Sequence, residues 1–165
     1  MRPSREITEK VLVTVILIAC WLLLPVTGYR QEDTDPWHHL IYIWCHANVW
    51  HLFGNLFVLW IIRGRLYLWP AILAAFIVSF IPAFSIYADM GMTVGFSGVL
   101  FAVGGIKWGV YCSRRYGRYF SACALDDFVR KALPFALVGI LVPHLNWCLH
   151  LHALIFGYIY GRCKG

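Results

Sequence analysis

The sequence predicts an all-α, polytopic membrane protein with six transmembrane helices. Three observations predict this fold class: the composition, a series of long apolar segments and the distribution of basic residues. Of the 165 residues, 61% are hydrophobic and only 13% are charged, about half the charged fraction of a typical soluble domain. A soluble domain of this size leaves much of its surface exposed, so it would present a large apolar area to water. A lipid bilayer as the surrounding medium removes that difficulty.

Six apolar segments account for the predicted helices, and most approach the roughly 17 to 25 residues needed to cross a bilayer. They cover residues 11–28, 44–62, 66–87, 96–111, 129–142 and 147–160. The first is expected to be a retained helix, because no small-residue cleavage site follows it. The first and third are almost entirely apolar, the second, fourth and sixth carry polar residues, and the fifth follows a polar stretch. Since no repeat is visible, residues 1–165 are predicted to form a single membrane domain.

The basic residues predict the orientation of these helices. With the N-terminus inside, six helices leave only Arg30 outside and place the other 13 of the 14 Lys and Arg residues inside. This asymmetry follows the positive-inside rule and predicts two cytoplasmic termini. The basic residues form no stripe with stacking aromatic residues, which argues against a nucleic-acid partner. If Lys107 marks the inner interface, Ser97 lies about 15 Å from it along the fourth helix.

The six cysteines predict neither a metal site nor a redox motif. They show no CxxC and no zinc-ligand spacing, and most fall in or near apolar segments, where a reduced thiol is usual. Cys45 and Cys148 both fall near the outer face, so a disulfide between them stays open. We expect no metal and no cofactor.

Polar residues inside the second segment are candidates for function, because ionisable groups are costly in a membrane helix. His51 and Asn55 are about 40° apart on a helix, so both can direct donors at one point. His46 is about 140° from His51, and its simplest interpretation is a histidine that bonds a loop carbonyl near the outer surface.

The fourth segment opens with Gly95-Phe96-Ser97-Gly98. A serine at the start of a helix lies beside free backbone N–H groups, which can bind an oxyanion. The flanking glycines allow a sharp turn and a close approach by a substrate. Small residues in membrane helices also serve close helix packing, so this motif alone does not decide between catalysis and packing.

The sixth segment offers a base for that serine. His150, Ala153, Gly157 and Gly161 share one face of the helix, whereas His152 lies on the opposite face. Ser97, Phe101 and Gly104 likewise share a face of the fourth helix. Packing the two faces together would bring Ser97 within hydrogen-bond distance of His150 and stack Phe101 against the imidazole, which predicts a serine activated by an adjacent base. The alternative is that His150 and His152 are two interfacial histidines near the outer headgroups.

Together these three groups of residues resemble the rhomboid family of intramembrane serine proteases. The shared motifs are His-x4-His-x3-Asn, Gly-x-Ser-Gly, and a histidine followed by small residues at +3 and +7. They stand here as His46, His51 and Asn55; Gly95, Ser97 and Gly98; and His150, Ala153 and Gly157. Four features differ from the usual pattern. Phe101 replaces a frequent tyrosine and Ala153 replaces a glycine, the first loop has no Trp-Arg pair, and the inner end of the second helix lacks its usual acidic residue.

The resemblance implies a serine endopeptidase with a Ser97–His150 dyad and no aspartate. It implies an oxyanion site built from the Ser97 N–H and the His51 and Asn55 side chains, with His46 bracing the first loop. It also implies that the fifth helix gates entry, that the substrates are transmembrane segments of other proteins, and that the protein lies in a bacterial cytoplasmic membrane.

Two alternatives remain from the sequence. One is a catalytically inactive relative that binds membrane clients without cutting them. The other is a haem- or metal-binding membrane protein that uses His46, His51, His150 and His152. The second is the weaker, because the spacing of five residues places His46 and His51 on different faces of a helix, unlike HExxH-type ligands.

Overall fold

The structure, a computed structural model, describes residues 5–30, 32–82, 91–116, 130 and 145–165. Within these residues it contains six helices and no strand beyond one isolated bridge between Tyr29 and Thr93. The helices are α1 (Arg5–Leu23), α2 (Pro36–Ile41), α3 (Val49–Ile61), α4 (Leu68–Ser79), α5 (Ser97–Tyr116) and α6 (Trp147–Lys164). The predicted all-α class is therefore confirmed for the described part of the chain.

Prolines end two helices earlier than the apolar segments predicted. Helix α1 ends at Leu23, five residues before the predicted end at residue 28, and Pro25 follows. Helix α4 ends at Ser79, just before Pro82. The residue before a proline is pushed out of the α region by the proline ring, so apolar character alone placed the C-terminal ends of both helices too late. The predicted end of the third segment, residues 83–87, lies outside the described residues.

Helix α1 also begins at Arg5, six residues before its predicted start, and α4 begins at Leu68, two residues after its predicted start. Polar residues explain three other differences in helix bounds. Helix α3 begins at Val49 and not at residue 44, because the Asn48 side chain caps it by accepting from the His51 N–H at 2.9 Å. Helix α5 continues five residues beyond its predicted end at residue 111 and carries Arg114 and Arg115 in its last turn, where cations are favourable at the negative helix end. Helix α6 likewise extends to Lys164.

Two further comparisons with the predicted layout concern α2 and the fifth segment. Helix α2 was not predicted, although Asp35 followed by Pro36 is a typical helix start. The fifth predicted segment, residues 129–142, lies outside the described residues apart from position 130. Among the described helices, none combines enough length with enough apolar character to cross a membrane. The six-span membrane layout stays a prediction.

Helices α5 and α6 form the closest packed pair in the described structure. A Cβ atom added at Gly105, Gly109, Gly157 or Gly161 would lie 2.1 to 2.2 Å from a backbone carbonyl oxygen of the facing helix. The small-residue face predicted for α6 is confirmed at Gly157 and Gly161. On α5 the contact follows Gly105 and Gly109, whereas a Cβ at Gly104 would meet none of the described atoms within 4 Å. The prediction that Gly104 lies in this interface was wrong.

Charged side chains form hydrogen bonds with the backbone of the segment that connects α3 and α4. Lys107 donates to the backbone carbonyls of Arg63 and Arg65, and Glu6 accepts from the Gly64 N–H at 2.7 Å. Since Lys107 is ten residues from Ser97 on the same helix, this cluster lies about 15 Å along α5 from the start of that helix.

Candidate active site

The local backbone places Ser97 at the first position of α5. Just before it, Gly95 has φ +117°, a conformation that glycine adopts readily and L side chains avoid. The Gly95 N–H donates to the Tyr42 carbonyl at 2.8 Å, which fixes the turn into the helix. Gly98 is buried, and a Cβ there would already lie 3.3 Å from the Tyr42 hydroxyl. The motif thus allows both a sharp turn and close packing.

The hydroxyl of Ser97 lies 2.8 Å from Nε2 of His150, which is within hydrogen-bond distance. His150 is only 5% exposed and sits in the first turn of α6, while Ser97 is half-buried. The Phe101 ring lies against the imidazole with centroids 4.6 Å apart and planes at 37°, so the predicted aromatic contact is present in a tilted form. Ala153 and Gly157, both buried, continue the face of α6 that carries His150.

A cavity of about 250 Å³ opens beside this pair. His51, Met92, Ser97, Asn146, Leu149 and His150 are among its lining residues. The cavity is large enough for several water molecules. His152 is not among the lining residues and is partly exposed elsewhere on α6, which agrees with the predicted preference for His150 as the partner of Ser97.

The structure brings His51, but not Asn55, to the cavity wall. The His51 ring lies directly against Gly95. Asn55 is buried one turn farther along α3, does not line the cavity, and donates one amide proton to the His51 carbonyl at 2.9 Å. The sequence predicted that both residues donate to the oxyanion, because they share a helix face. It could not show that the Asn55 amide donates to a backbone carbonyl of its own helix. A role for Asn55 at the oxyanion stays a prediction.

His46 is 1% exposed and lies against His51, with ring centroids 5.2 Å apart in an edge-to-face arrangement. Neither of its ring nitrogens has a hydrogen-bond partner among the described residues. The backbone of Trp44, a residue of the preceding loop, nevertheless interacts electrostatically with His46, so the predicted bond to a loop carbonyl stays a prediction. The structure places His46 behind His51, where it supports that ring by packing.

Asn146 is a residue of the site that the sequence analysis missed. It lines the cavity, and its side chain caps α6 by accepting from the Leu149 N–H at 3.0 Å. An asparagine directly before an apolar helical segment is a typical capping signal. That signal would have found the cap, though not the contacts of the amide nitrogen.

The structure also bears on the cysteines and on a metal site. Cys45 and Cys148 are both buried and neither forms a disulfide, so the pairing left open by the sequence is not present. Within the described ranges, no three His, Cys, Asp or Glu side chains come together in a way that could hold a metal ion. Of the four histidines considered as ligands, only His51 and His150 line the cavity.

Comparison with known proteins adds one finding. The family model described as Rhomboid domain matches residues 33–165, which is most of the chain and includes all the residues of the site described above. Neither the comparison with curated proteins nor that with solved structures gave a match.

Proposed function

Since this chain belongs to the rhomboid family, whose members are usually intramembrane serine proteases, we propose that it is a serine endopeptidase acting on transmembrane segments. Ser97 is the nucleophile and His150 is the general base. The observation that carries this proposal is the 2.8 Å distance between the Ser97 hydroxyl and Nε2 of the buried His150, beside an open cavity.

The reaction follows from this pairing. Nε2 of His150 takes the hydroxyl proton as Oγ of Ser97 attacks the scissile carbonyl carbon, and a tetrahedral oxyanion forms. The oxyanion collapses, the C–N bond breaks, and the imidazolium returns its proton to the leaving amine. Water then attacks the acyl-enzyme with His150 again as base, which releases the new carboxyl end and frees Ser97.

Two groups are placed to stabilise the oxyanion. The Ser97 N–H is at the first position of α5, where helix N–H groups lack partners inside the helix. The His51 imidazole lines the same cavity and can donate from a ring nitrogen. Donors fixed in advance at the point where charge develops supply a large part of the rate enhancement in acyl transfer.

We further propose that residues 1–165 form one membrane domain with two cytoplasmic termini, in a bacterial cytoplasmic membrane. The uneven distribution of basic residues supports this orientation. A peptide bond inside a substrate helix is shielded by its own hydrogen bonding, so the substrate must unwind locally. Single-span proteins with small or helix-breaking residues near the outer end of the span fit that requirement.

The test is covalent labelling of the purified protein with a fluorophosphonate probe, which reacts with activated serines. We expect the wild type to be labelled, and Ser97→Ala and His150→Ala to lose labelling by more than about 1,000-fold. His152→Ala is the matched control from the same helix and should be labelled at close to the wild-type rate.

Other outcomes would contradict the proposal. Labelling that persists in Ser97→Ala would place the nucleophile elsewhere, and loss in His152→Ala but not in His150→Ala would identify another base. A folded wild type that is not labelled would favour an inactive, client-binding relative. Metal analysis of the same sample tests the remaining alternative, since one equivalent of haem or zinc would favour a metal-binding protein.

A further inference from the structure

Asn146 is a buried polar residue whose hydrogen bonds connect three segments of the chain. It is 8% exposed and stands directly before α6. Its Oδ1 accepts from the Leu149 N–H at 3.0 Å, and its Nδ2 donates to the hydroxyls of Tyr29 at 3.2 Å and Thr93 at 3.0 Å. Both protons of the amide group and one lone pair of its oxygen are thus used, so the side chain is close to fully satisfied.

Two of these partners lie close in sequence to the two members of the dyad. Leu149 immediately precedes His150, and Thr93 is four residues before Ser97. Tyr29 and Thr93 also pair through their backbones, with N–H to carbonyl distances of 3.2 and 2.8 Å. The Asn146 side chain therefore connects the start of α6 to the segment that leads into α5. We refer to its two hydrogen bonds to Tyr29 and Thr93 as the tie.

Capping alone does not account for this arrangement. A helix cap requires only an oxygen acceptor, which serine, threonine or aspartate also provides. The two amide protons of Asn146 are not needed for the cap, and both are donated to residues of other segments, Tyr29 and Thr93. An acceptor and two donors on one short planar group is a combination that serine and threonine do not offer.

We propose that Asn146 is a positioning residue for the dyad, holding His150 in register with Ser97. This inference rests on the proposed function. A displacement of about 1 Å between reacting groups can lower a rate by about 100-fold, so losing the tie between the two helix starts lowers the reactivity of Ser97 even when both helices remain folded.

The experiment measures the labelling rate constant of Ser97 per folded molecule, using the full chain and a fluorophosphonate. Partial unfolding lowers the amount of labelled protein, whereas misalignment lowers the rate constant. Asn146→Ser keeps a capping oxygen but loses both amide protons that reach Tyr29 and Thr93, and we expect its rate constant to fall about 10- to 100-fold. Thr93→Val removes one of the two hydrogen bonds of the tie and should lower it by a smaller factor.

Three further variants separate positioning from capping. Asp35→Ala removes the cap of α2, where the carboxylate accepts from the Trp37 N–H at 2.9 Å, and should leave the rate constant unchanged. Asn146→Asp keeps the cap and can accept from both hydroxyls of Tyr29 and Thr93, so it restores the tie and should stay within about three-fold of wild type. Adding Thr93→Val to Asn146→Ser should cause no further loss, because the tie is already broken.

The outcomes distinguish failure of this inference from failure of the proposed function. If the wild type is labelled at Ser97 and Asn146→Ser reacts within about two-fold of it, the positioning role is wrong while the protease assignment stands. Should Asn146→Ser fail to fold, a wild-type rate constant in Thr93→Val overturns the role instead. If the wild type shows no labelling that depends on Ser97, both the positioning role and the protease assignment are wrong.

Discussion

A Cβ atom at Gly95 would lie 2.6 Å from Cε1 and 2.7 Å from Nε2 of His51. The glycine therefore does more than permit the positive φ of +117° at this turn. It allows the backbone leading to Ser97 to lie directly against the imidazole that lines the cavity. The position of His51 relative to Ser97 depends on the absence of a side chain at this one residue.

We predict that Gly95→Ala lowers the labelling rate of Ser97 by about 100-fold, because its methyl group would displace either His51 or the turn. The matched control is Gly104→Ala on α5, where an added Cβ meets none of the described atoms within 4 Å. That variant should keep its rate and gain up to about 1 kcal/mol of stability from better helix propensity. A Gly95→Ala enzyme as reactive as wild type would show that the turn can relax without moving the site.

The second prediction concerns the close packing of α5 on α6. A Cβ at Gly157 would lie 2.2 Å from the Ala102 carbonyl oxygen, so Gly157→Ala must separate two backbones. We expect a loss of about 1 to 3 kcal/mol in the free energy of unfolding, with slower labelling because the two helices also hold Ser97 and His150. Thermal unfolding and labelling are measured on the same sample.

Gly54→Ala on α3 is the control for this prediction, since nothing among the described residues lies within 4 Å of the added Cβ. It should stabilise the protein by up to about 1 kcal/mol. Equal melting temperatures for Gly157→Ala and Gly54→Ala would argue that the helices of the pair tolerate a wider separation than this structure shows.

Helical periodicity explains why the central contact could be predicted from sequence. Placing Ser97 and His150 on small-residue faces requires only the 100° turn per residue, and the 2.8 Å distance between them agrees with that construction. The same assignment of helix faces was wrong for Gly104, because it treats each helix as straight and isolated. Which neighbouring row forms the contact, here the one through Gly105 and Gly109, depends on how the two helices cross.

Contacts between residues that lie outside the helices were beyond this kind of reasoning. The tie from Asn146 to Tyr29 and Thr93 joins residues 117 and 53 positions apart, and no periodicity links them. For Asn55, the helix face predicted the direction of the side chain but could not predict the hydrogen-bond partner of its amide. Apolar character also placed the end of α1 too late, because Pro25 and not hydropathy decides where that helix ends.

The third prediction separates His51 from Asn55. His51 lines the cavity, whereas Asn55 donates to the His51 carbonyl from one turn farther along α3. His51→Ala should therefore lower the rate of substrate cleavage by about 100- to 1,000-fold, as expected for an oxyanion donor. Asn55→Ala removes only a bond to the supporting helix, and we expect a loss of about ten-fold or less. A larger loss for Asn55→Ala than for His51→Ala would show that Asn55 reaches the oxyanion during the reaction.

The fourth prediction concerns the acid stability of the first loop, which is the segment between α1 and α3 that contains α2. The Asp35 N–H, which donates to the Asp33 carboxylate at 3.1 Å, and the His38 side chain hold the pKa of Asp33 below its usual value of 3.8. A carboxylate with a lowered pKa in the folded state stabilises that state above its unfolded pKa, and this contribution is lost as the pH falls through the folded pKa. The loop around α2 should therefore lose protection below about pH 4.

Hydrogen exchange of the α2 amides between about pH 5 and pH 2.5 measures this loss. Asp33→Asn cannot titrate at this position, so its decline with acid should be smaller than that of wild type. The matched control is Asp35→Asn, which keeps a capping oxygen for α2 but has no carboxyl group, and its acid-dependent loss should persist because Asp33 is intact. If Asp33→Asn declined as steeply as wild type, another carboxylate would have to hold the first loop, and the contacts of Asp33 with Asp35 and His38 would contribute nothing to its acid stability.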